Sequence, residues 1–185
     1  MLFLGIDPGS RKAGFGLIEK KGRSFKYLES GCLSYDKVPT FIDRLGLIHQ
    51  SCLELIEKYN PDEVAIESLI YVKSIPSLAK LAQARGAMIS AFMATHQGKV
   101  FEYSPNLVKS TVTGHGHSNK EGVDKSLKML LGSQLEFKTH DESDALAIAL
   151  CHGLMRGTPL TKKGHAKGKR SGQSLKQAFK HLENS

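Results

Sequence analysis

Two acidic side chains stand at the ends of apolar segments. Asp7 closes the run Leu2–Asp7, and Glu67 closes the run Glu63–Glu67. Runs of this kind are typical of strands buried on both faces of a sheet. Because sites in sheets with parallel neighbouring strands form beyond the strand ends, the two carboxylates are candidates for one site. Each also has a simpler interpretation, since Asp7 could only form a turn and Glu67 could only face water.

Two further acids precede a stretch of small apolar residues. Asp141 and Asp144 begin the predicted last helix, His140–Met155, where residues three apart share one face. The sequence Ala-Leu-Ala-Ile-Ala-Leu follows Asp144 and places it beside a buried stripe. Asp141 could instead be a helix-start acid that gains from the helix dipole. His140 could act as a base or a ligand, or could be structural.

These four carboxylates indicate metal-assisted chemistry if they converge. Clustered carboxylates repel one another, and they would not all ionise without a compensating charge. Divalent cations supply that charge, and Mg²⁺ prefers hard oxygen ligands. Two such ions about 4 Å apart stabilise both the attacking and the leaving oxygens of a phosphoryl displacement.

The elements that must position these acids predict an α/β fold. The first three strands, with a turn at Gly22, read as an antiparallel meander. The fourth and fifth strands each follow a helix, which favours parallel pairing. The sequence therefore predicts a mixed five-stranded sheet flanked by helices. The predicted strands are Leu2–Asp7, Ala13–Glu19, Ser24–Tyr35, Glu63–Glu67 and Val100–Tyr103, and the predicted helices are Phe41–Tyr59, Pro76–His96, Asn119–Leu131 and His140–Met155.

Composition limits the partners and the domain organisation. The 185 residues carry a formal net charge of +8, which favours a polyanionic partner such as nucleic acid. Residues 157–185 hold seven Lys and Arg against one Glu, with few apolar side chains, so we expect a core domain over 1–156 and a basic, disordered tail over 157–185. No apolar run approaches the roughly 18 residues of a membrane span, and three scattered cysteines predict a cytoplasmic protein with reduced thiols.

Several segments in register resemble the RuvC family of Holliday junction resolvases. The resemblance covers most of the first 156 residues and leaves out the tail. The segments that carry it are Leu4–Ser10, Gly14–Gly16, Ala65–Glu67, Gln83–Gly86, Phe101–Tyr103, Val108–Val112 and Asp144–Ala149.

The resemblance implies an RNase H-like fold and a homodimer that resolves four-way (Holliday) DNA junctions by paired symmetric nicks. It implies two Mg²⁺ ions per site, with Mn²⁺ as a substitute, one activating water and the other stabilising the leaving 3′ oxygen. The family's catalytic and metal-binding acids correspond here to Asp7, Glu67, Asp141 and Asp144. Some members carry His at the third position, so His140 is an alternative to Asp141.

The resemblance also implies a DNA-binding surface and partners. Lys109 and Lys120 match basic residues that contact DNA, and a phosphate contact needs only charge and reach. The family's aromatic wedge corresponds to Ile70, with Tyr71 beside it, and either residue could unstack bases or simply pack. The helix Pro76–His96 would form the dimer interface, and the branch-migration proteins RuvA and RuvB would be partners.

Other functions remain open on the sequence alone. A kinase or ATPase of the actin class shares the Gly-Ile-Asp opening, but it usually needs two such cores and a second phosphate loop. A junction-binding module without catalysis is a further alternative, although all four acids are present. A related short family of nucleases acts on ribosomal RNA precursors, and the long helix after Glu67 favours the resolvase over it.

Overall fold

The computed structural model describes residues 1–69, 74–114 and 119–156. The candidate wedge residues Ile70 and Tyr71 and the basic tail lie outside the described residues. The described strands are β1 (Leu2–Asp7), β2 (Lys12–Lys21), β3 (Ser24–Ser34), β4 (Glu63–Glu67) and β5 (Val100–Tyr103). The described helices are α1 (Phe41–Tyr59), α2 (Ile75–Met93), α3 (Pro105–Thr113), α4 (Lys120–Leu131) and α5 (His140–Met155).

The five strands form one mixed sheet in the order β3-β2-β1-β4-β5. β1, β2 and β3 pair antiparallel, whereas β4 pairs parallel with both β1 and β5. The β2–β3 hairpin turns at Gly22, whose φ of 60° is readily available to glycine. The predicted mixed α/β sheet is confirmed, and so is the hairpin.

Successive side chains of β1 and β4 face opposite sides of the sheet and contribute to two hydrophobic layers. Leu4 and Ile6 face the layer that contains residues of α1 and α2. Phe3 and Ala65 face the opposite layer, which contains residues of α3, α4 and α5. Because successive side chains in a strand point to opposite faces, Asp7 and Glu67 lie on the α5 side with Phe3 and Ala65.

Glycines let α5 lie directly on the sheet. A Cβ built on Gly5 would come within 2.2 Å of the Ala145 carbonyl oxygen, and one on Gly16 within 2.8 Å of the Leu146 Cα. A Cβ on Gly14 would stand 1.9 Å from the carbonyl oxygen of Asp141. We call Gly5, Gly14 and Gly16 the glycine floor, since only residues without a side chain admit the helix backbone there.

A buried polar network secures the other end of α5. The His152 Nε2 lies 2.7 Å from a carboxylate oxygen of Glu63, at the start of β4, and its Nδ1 lies 2.6 Å from the Tyr103 hydroxyl. Arg156 donates to both oxygens of Glu63. Burial lowers the pKa of His152, although Glu63 opposes that effect. The network joins the C-terminal end of α5, far from Asp141 and Asp144, to β4 and β5.

Helix boundaries follow local capping. Thr40 caps α1 through the amide of Asp43, and Asn119 caps α4 through that of Gly122, as the sequence predicts. α2 begins at Ile75 and ends at Met93, so the predicted range Pro76–His96 was wrong by one residue at the start and three at the end. None of the helices within the described ranges is long and apolar enough to cross a membrane.

Candidate active site

The strand ends bring Asp7 and Glu67 side by side. Ile6 pairs with Ile66 in the parallel β1–β4 register, so the residues that follow them end neighbouring strands. Both carboxylates lie on the α5 face of the sheet. They are partly buried, which removes much of the water that would otherwise screen them.

The first turns of α5 bring the other two acids to the same edge. Thr139 caps the helix by accepting a hydrogen bond from the Glu142 amide at 3.3 Å. The carbonyl of Asp141 rests over Gly14, which pairs with Asp7 in the β1–β2 register. Asp144 lies one turn further along. The glycine floor therefore sets the height at which Asp141 and Asp144 approach Asp7.

The carboxylates act on one another electrostatically. Burial raises the pKa of Asp7 to about 8, with further contributions from Glu67, Asp144 and Asp141. Burial and the charge of Asp144 also raise the pKa of Glu67. These interactions show that the structure brings all four sequence-predicted acids together.

Two lysines partly balance this negative charge. The Lys120 ammonium lies 3.1 Å from a carboxylate oxygen of Asp144, and it lowers the pKa of both Asp7 and Glu67. Lys109 lies in α3 and lowers the pKa of Glu67. The sequence-based prediction treated Lys109 only as following the fifth strand, although Ser104 and Pro105 form a helix-start signal. Both lysines lie close enough to act electrostatically on the acids.

His140 points to different surroundings from Asp141. It lines an open cavity of about 440 Å³ together with Asp124, Lys128 and Ser143. Asp141, in contrast, acts on Asp7 and contributes to its raised pKa. The geometry therefore favours Asp141 over His140 as the third acid of the cluster.

Three residues that the sequence-based prediction did not single out support the site. Cys32 donates a thiol hydrogen bond to Asp141 at 3.6 Å. The buried Arg44 donates to the carbonyl of Ser10 at 3.3 Å and so holds the turn after Asp7. Arg85 donates to the carbonyl of Glu67 at 2.8 Å. Arg85 belongs to the segment Gln83–Gly86 that carries the family resemblance, whereas no sequence signal pointed to Cys32 or Arg44.

The donor set suits a hard divalent cation. Four carboxylates supply only oxygen ligands, and a cation would relieve the repulsion that raises the pKa of Asp7. In their present orientations, no three His, Cys, Asp or Glu side chains of the described residues form a group that could hold a metal ion. Lys120 instead provides the positive charge at Asp144.

Comparison with known proteins identifies the family. The sequence pattern described as "Crossover junction endodeoxyribonuclease RuvC" matches residues 3–152. The chain belongs to the RuvC family. It is 45% identical to the crossover junction endodeoxyribonuclease RuvC of Trichlorobacter lovleyi over 153 residues, which cover 82% of this chain and 84% of that protein. It is 37% identical to the RuvC of Halothermothrix orenii, over 83% of this chain and 92% of that protein.

A solved structure of the RuvC family shares the fold. T. thermophilus RuvC in complex with Holliday junction substrate matches with a TM-score of 0.78 and 31% identity, over 84% of this chain and 94% of that chain. This likeness confirms the expected RNase H-like α/β fold. The matched range ends at residue 152, inside α5, and so includes all four acids of the candidate site.

Proposed function

We propose that this chain is a crossover junction endodeoxyribonuclease that resolves four-way DNA junctions by paired symmetric nicks, in homologous recombination and DNA repair. The observation that carries the proposal is the convergence of Asp7, Glu67, Asp141 and Asp144 in a member of the RuvC family. The names of its relatives and the junction complex of T. thermophilus RuvC support the same activity.

Asp7, Glu67, Asp141 and Asp144 would hold two Mg²⁺ ions, or Mn²⁺ in their place. When bound, the ions would supply positive charge to the attacking water and to the leaving 3′ oxygen. The other three acids all act on Asp7 and help to raise its pKa to about 8, so its carboxylate would gain charge compensation from a bound cation. The product would carry a 5′ phosphate and could be ligated.

Residues around the acids would position the DNA. Lys120 and Lys109 offer ammonium groups at the rim of the carboxylate cluster, where they would bind the phosphates beside the cleaved bond. The Lys120 ammonium, now paired with Asp144, would be available to a phosphate of the DNA in its place. Either Ile70 or Tyr71 would open the crossover by inserting its side chain between bases.

A two-fold enzyme fits a nearly two-fold junction, since it presents two equivalent sites to strands of like polarity. The exposed side of α2 supports a homodimer, because Lys80 is its one charged residue and the others are uncharged, including Gln83, Gly86, Ser90 and Met93. The enzyme would work in the cytoplasm, with RuvA and RuvB as partners.

The deciding experiment compares Asp7→Asn with wild type on three substrates in the presence of Mg²⁺. The substrates are a mobile four-way DNA junction, a linear duplex and an RNA–DNA hybrid. We expect paired nicks in the junction alone from wild type, and at least a 1,000-fold slower rate from Asp7→Asn, since the substitution removes ligand charge from a metal that stabilises several kcal/mol of transition-state charge. Junction affinity should change less than about threefold because the phosphate contacts remain.

Asp43→Asn is the matched control, because it removes an exposed carboxylate at the start of α1. It should cut like wild type. Full cleavage by Asp7→Asn would contradict the four-carboxylate site. Binding without cutting by wild type would indicate a junction-binding module, and cutting of RNA alone would indicate a nuclease for RNA precursors.

A further inference from the structure

The peptide group between Glu67 and Ser68 is held on both sides. Its carbonyl oxygen accepts a hydrogen bond from the Arg85 Nε at 2.8 Å. Its N–H donates to the carbonyl oxygen of Tyr103 at 2.9 Å. A peptide group with both polar atoms bonded has little freedom to rotate about the adjoining backbone dihedrals. We call this arrangement the Glu67–Ser68 clamp.

Arg85 reaches the clamp from another layer of the protein. Its side chain extends from α2 and is only 11% exposed. The same guanidinium also forms an ion pair with Glu102 on β5, so it spans the ends of β4 and β5. The fork of a guanidinium donates in two directions at once, which a lysine ammonium on a flexible stem does less well.

The position of the clamp matters because Glu67 ends β4. Beyond Ser68 the chain leaves the sheet, and the next described element is α2, the helix that carries Arg85. Arg85 therefore ties the exit point of the connection to the helix at its other end. A strand end without such a tie frays, and its last side chain then samples several directions.

We propose that Arg85 is a positioning residue that fixes the carboxylate of Glu67 for metal binding through the Glu67–Ser68 clamp. The inference rests on the proposed function in one respect, namely that Glu67 is a metal ligand. Residues that orient a ligand without touching the metal typically contribute about 10- to 100-fold to metal affinity or activity. Arg85 does so through a backbone carbonyl and not through the carboxylate itself.

The chain offers a matched control on the same strand. Arg156 forms an ion pair with Glu63, at the start of β4, just as Arg85 contacts the end of β4. Loss of either arginine removes one guanidinium and leaves its carboxylate partner without that ion pair. Only loss of Arg85 should change the orientation of the Glu67 side chain.

The first measurement is hydrogen exchange of the Ser68 amide in the full-length, metal-free protein. We expect Arg85→Met to speed exchange at Ser68 by about tenfold. In the wild type, local opening of the clamp must also break the hydrogen bond with Arg85, and in the variant it need not. Arg156→Met should leave that amide unchanged. Arg85→Lys keeps one charged donor and should give a smaller effect, which provides a second variant if Arg85→Met fails to fold.

The second measurement is Mn²⁺ binding without DNA, followed by the paramagnetic resonance signal of free Mn²⁺. We expect the Kd to rise about tenfold in Arg85→Met, about threefold in Arg85→Lys and not at all in Arg156→Met. Glu67→Gln reports separately on the proposed function, and it should weaken Mn²⁺ binding at least as much as Arg85→Met does.

The outcomes separate the two ideas. Faster Ser68 exchange with wild-type Mn²⁺ affinity in Arg85→Met would overturn the positioning role, while a weakened Glu67→Gln would leave the proposed function standing. Wild-type affinity in Glu67→Gln would remove Glu67 from the metal ligands and would overturn both. Equal loss of affinity in Arg85→Met and Arg156→Met would indicate general destabilisation and would also overturn the inference.

Discussion

At the scale of single residues, Asp7 is held in an unfavourable environment when no cation is bound. Burial and three neighbouring carboxylates raise its pKa to about 8 from an ordinary value of 3.8. The folded metal-free protein therefore keeps a proton on Asp7 near neutral pH, whereas the unfolded chain does not. The need to keep Asp7 protonated in the folded state therefore lowers the free energy of unfolding near neutral pH.

The first prediction concerns this cost and its pH dependence. As pH rises from about 4 towards 8, the unfolded chain has lost the Asp7 proton while the folded chain still binds it, so stability falls. Asp7→Asn should remove the Asp7 contribution to this dependence and raise the free energy of unfolding of the metal-free protein at pH 8 by about 1–3 kcal/mol. Thermal unfolding in a chelator between pH 5 and pH 9 measures it.

The exposed Asp43→Asn again serves as control, since it should leave the pH dependence unchanged. A metal-free wild type that gains stability between pH 5 and pH 8 relative to Asp7→Asn would contradict the argument. Added Mg²⁺ should stabilise wild type more than Asp7→Asn, because a cation replaces the proton only where the carboxylate is present.

The four acids were predictable from the sequence, and their supporting residues were not. Asp7 and Glu67 close apolar runs, and Asp141 and Asp144 share a helix face, so strand and helix periods made the four acids candidates for one site, and the family resemblance selected the same four. Cys32 and Arg44 act through tertiary contacts with residues far along the chain. No local pattern encodes such contacts, and a single sequence therefore does not reveal them.

At the scale of elements, the fit between α5 and the sheet controls the site. The glycine floor brings the backbone of α5 closer to β1 and β2 than any side chain would allow. Asp141 and Asp144 belong to the part of α5 that rests there. A shift of α5 away from the glycine floor would therefore change the distances between the carboxylates of α5 and those of β1 and β4.

The second prediction tests the floor with one methyl group. Gly14→Ala places a Cβ 1.9 Å from the Asp141 carbonyl oxygen, which forces α5 or β2 to move. We expect a loss of about 1–3 kcal/mol in the free energy of unfolding, as for other overpacked cores. We also expect cleavage to fall more than junction binding. Chemical denaturation and a cleavage assay measure the two effects.

Gly46→Ala provides the opposite case within the same chain. Gly46 lies in α1 with no atom within 4 Å of an added Cβ. Alanine there should leave cleavage unchanged and stabilise the helix by about 0.5–1 kcal/mol. If the two substitutions behaved alike, close approach at Gly14 would not matter.

The elements themselves followed local signals closely, with instructive exceptions. β1, α1, β4, β5 and α5 have the predicted bounds. α2 ends three residues before the predicted end. His96 lies beyond the helix, and its Nε2 donates to the carbonyl of Pro61 at 2.8 Å, which is a tertiary contact that the helical pattern does not encode. β2 runs to Lys21, longer than predicted, because pairing with β3 continues to the hairpin turn.

At the scale of the whole molecule, charge is concentrated at one end of the sequence. Residues 157–185 carry seven Lys and Arg against one Glu, out of a net charge of +8 for the entire chain. The candidate site, in contrast, is acidic. We expect the basic tail to add phosphate contacts outside the cleavage site.

The third prediction concerns this tail. A chain ending at Arg156 should bind the four-way junction more weakly, and the slope of log affinity against log salt should become shallower by about 2. A full-length chain with the seven tail cations replaced by Gln is the matched control, and it should behave like the shortened chain. An unchanged salt slope in both chains would indicate that the tail is a solvated arm that makes no phosphate contacts.

Formation of the carboxylate cluster depends on segments that are far apart in the sequence. Asp7 comes from the first strand, whereas Asp141 and Asp144 come from the last described helix, which rests on that strand. During synthesis from the N-terminus, β1 and β4 emerge long before α5. A nascent or truncated chain that lacks α5 has only two of the four acids of the proposed site, so we expect nuclease activity to begin only when translation has passed α5.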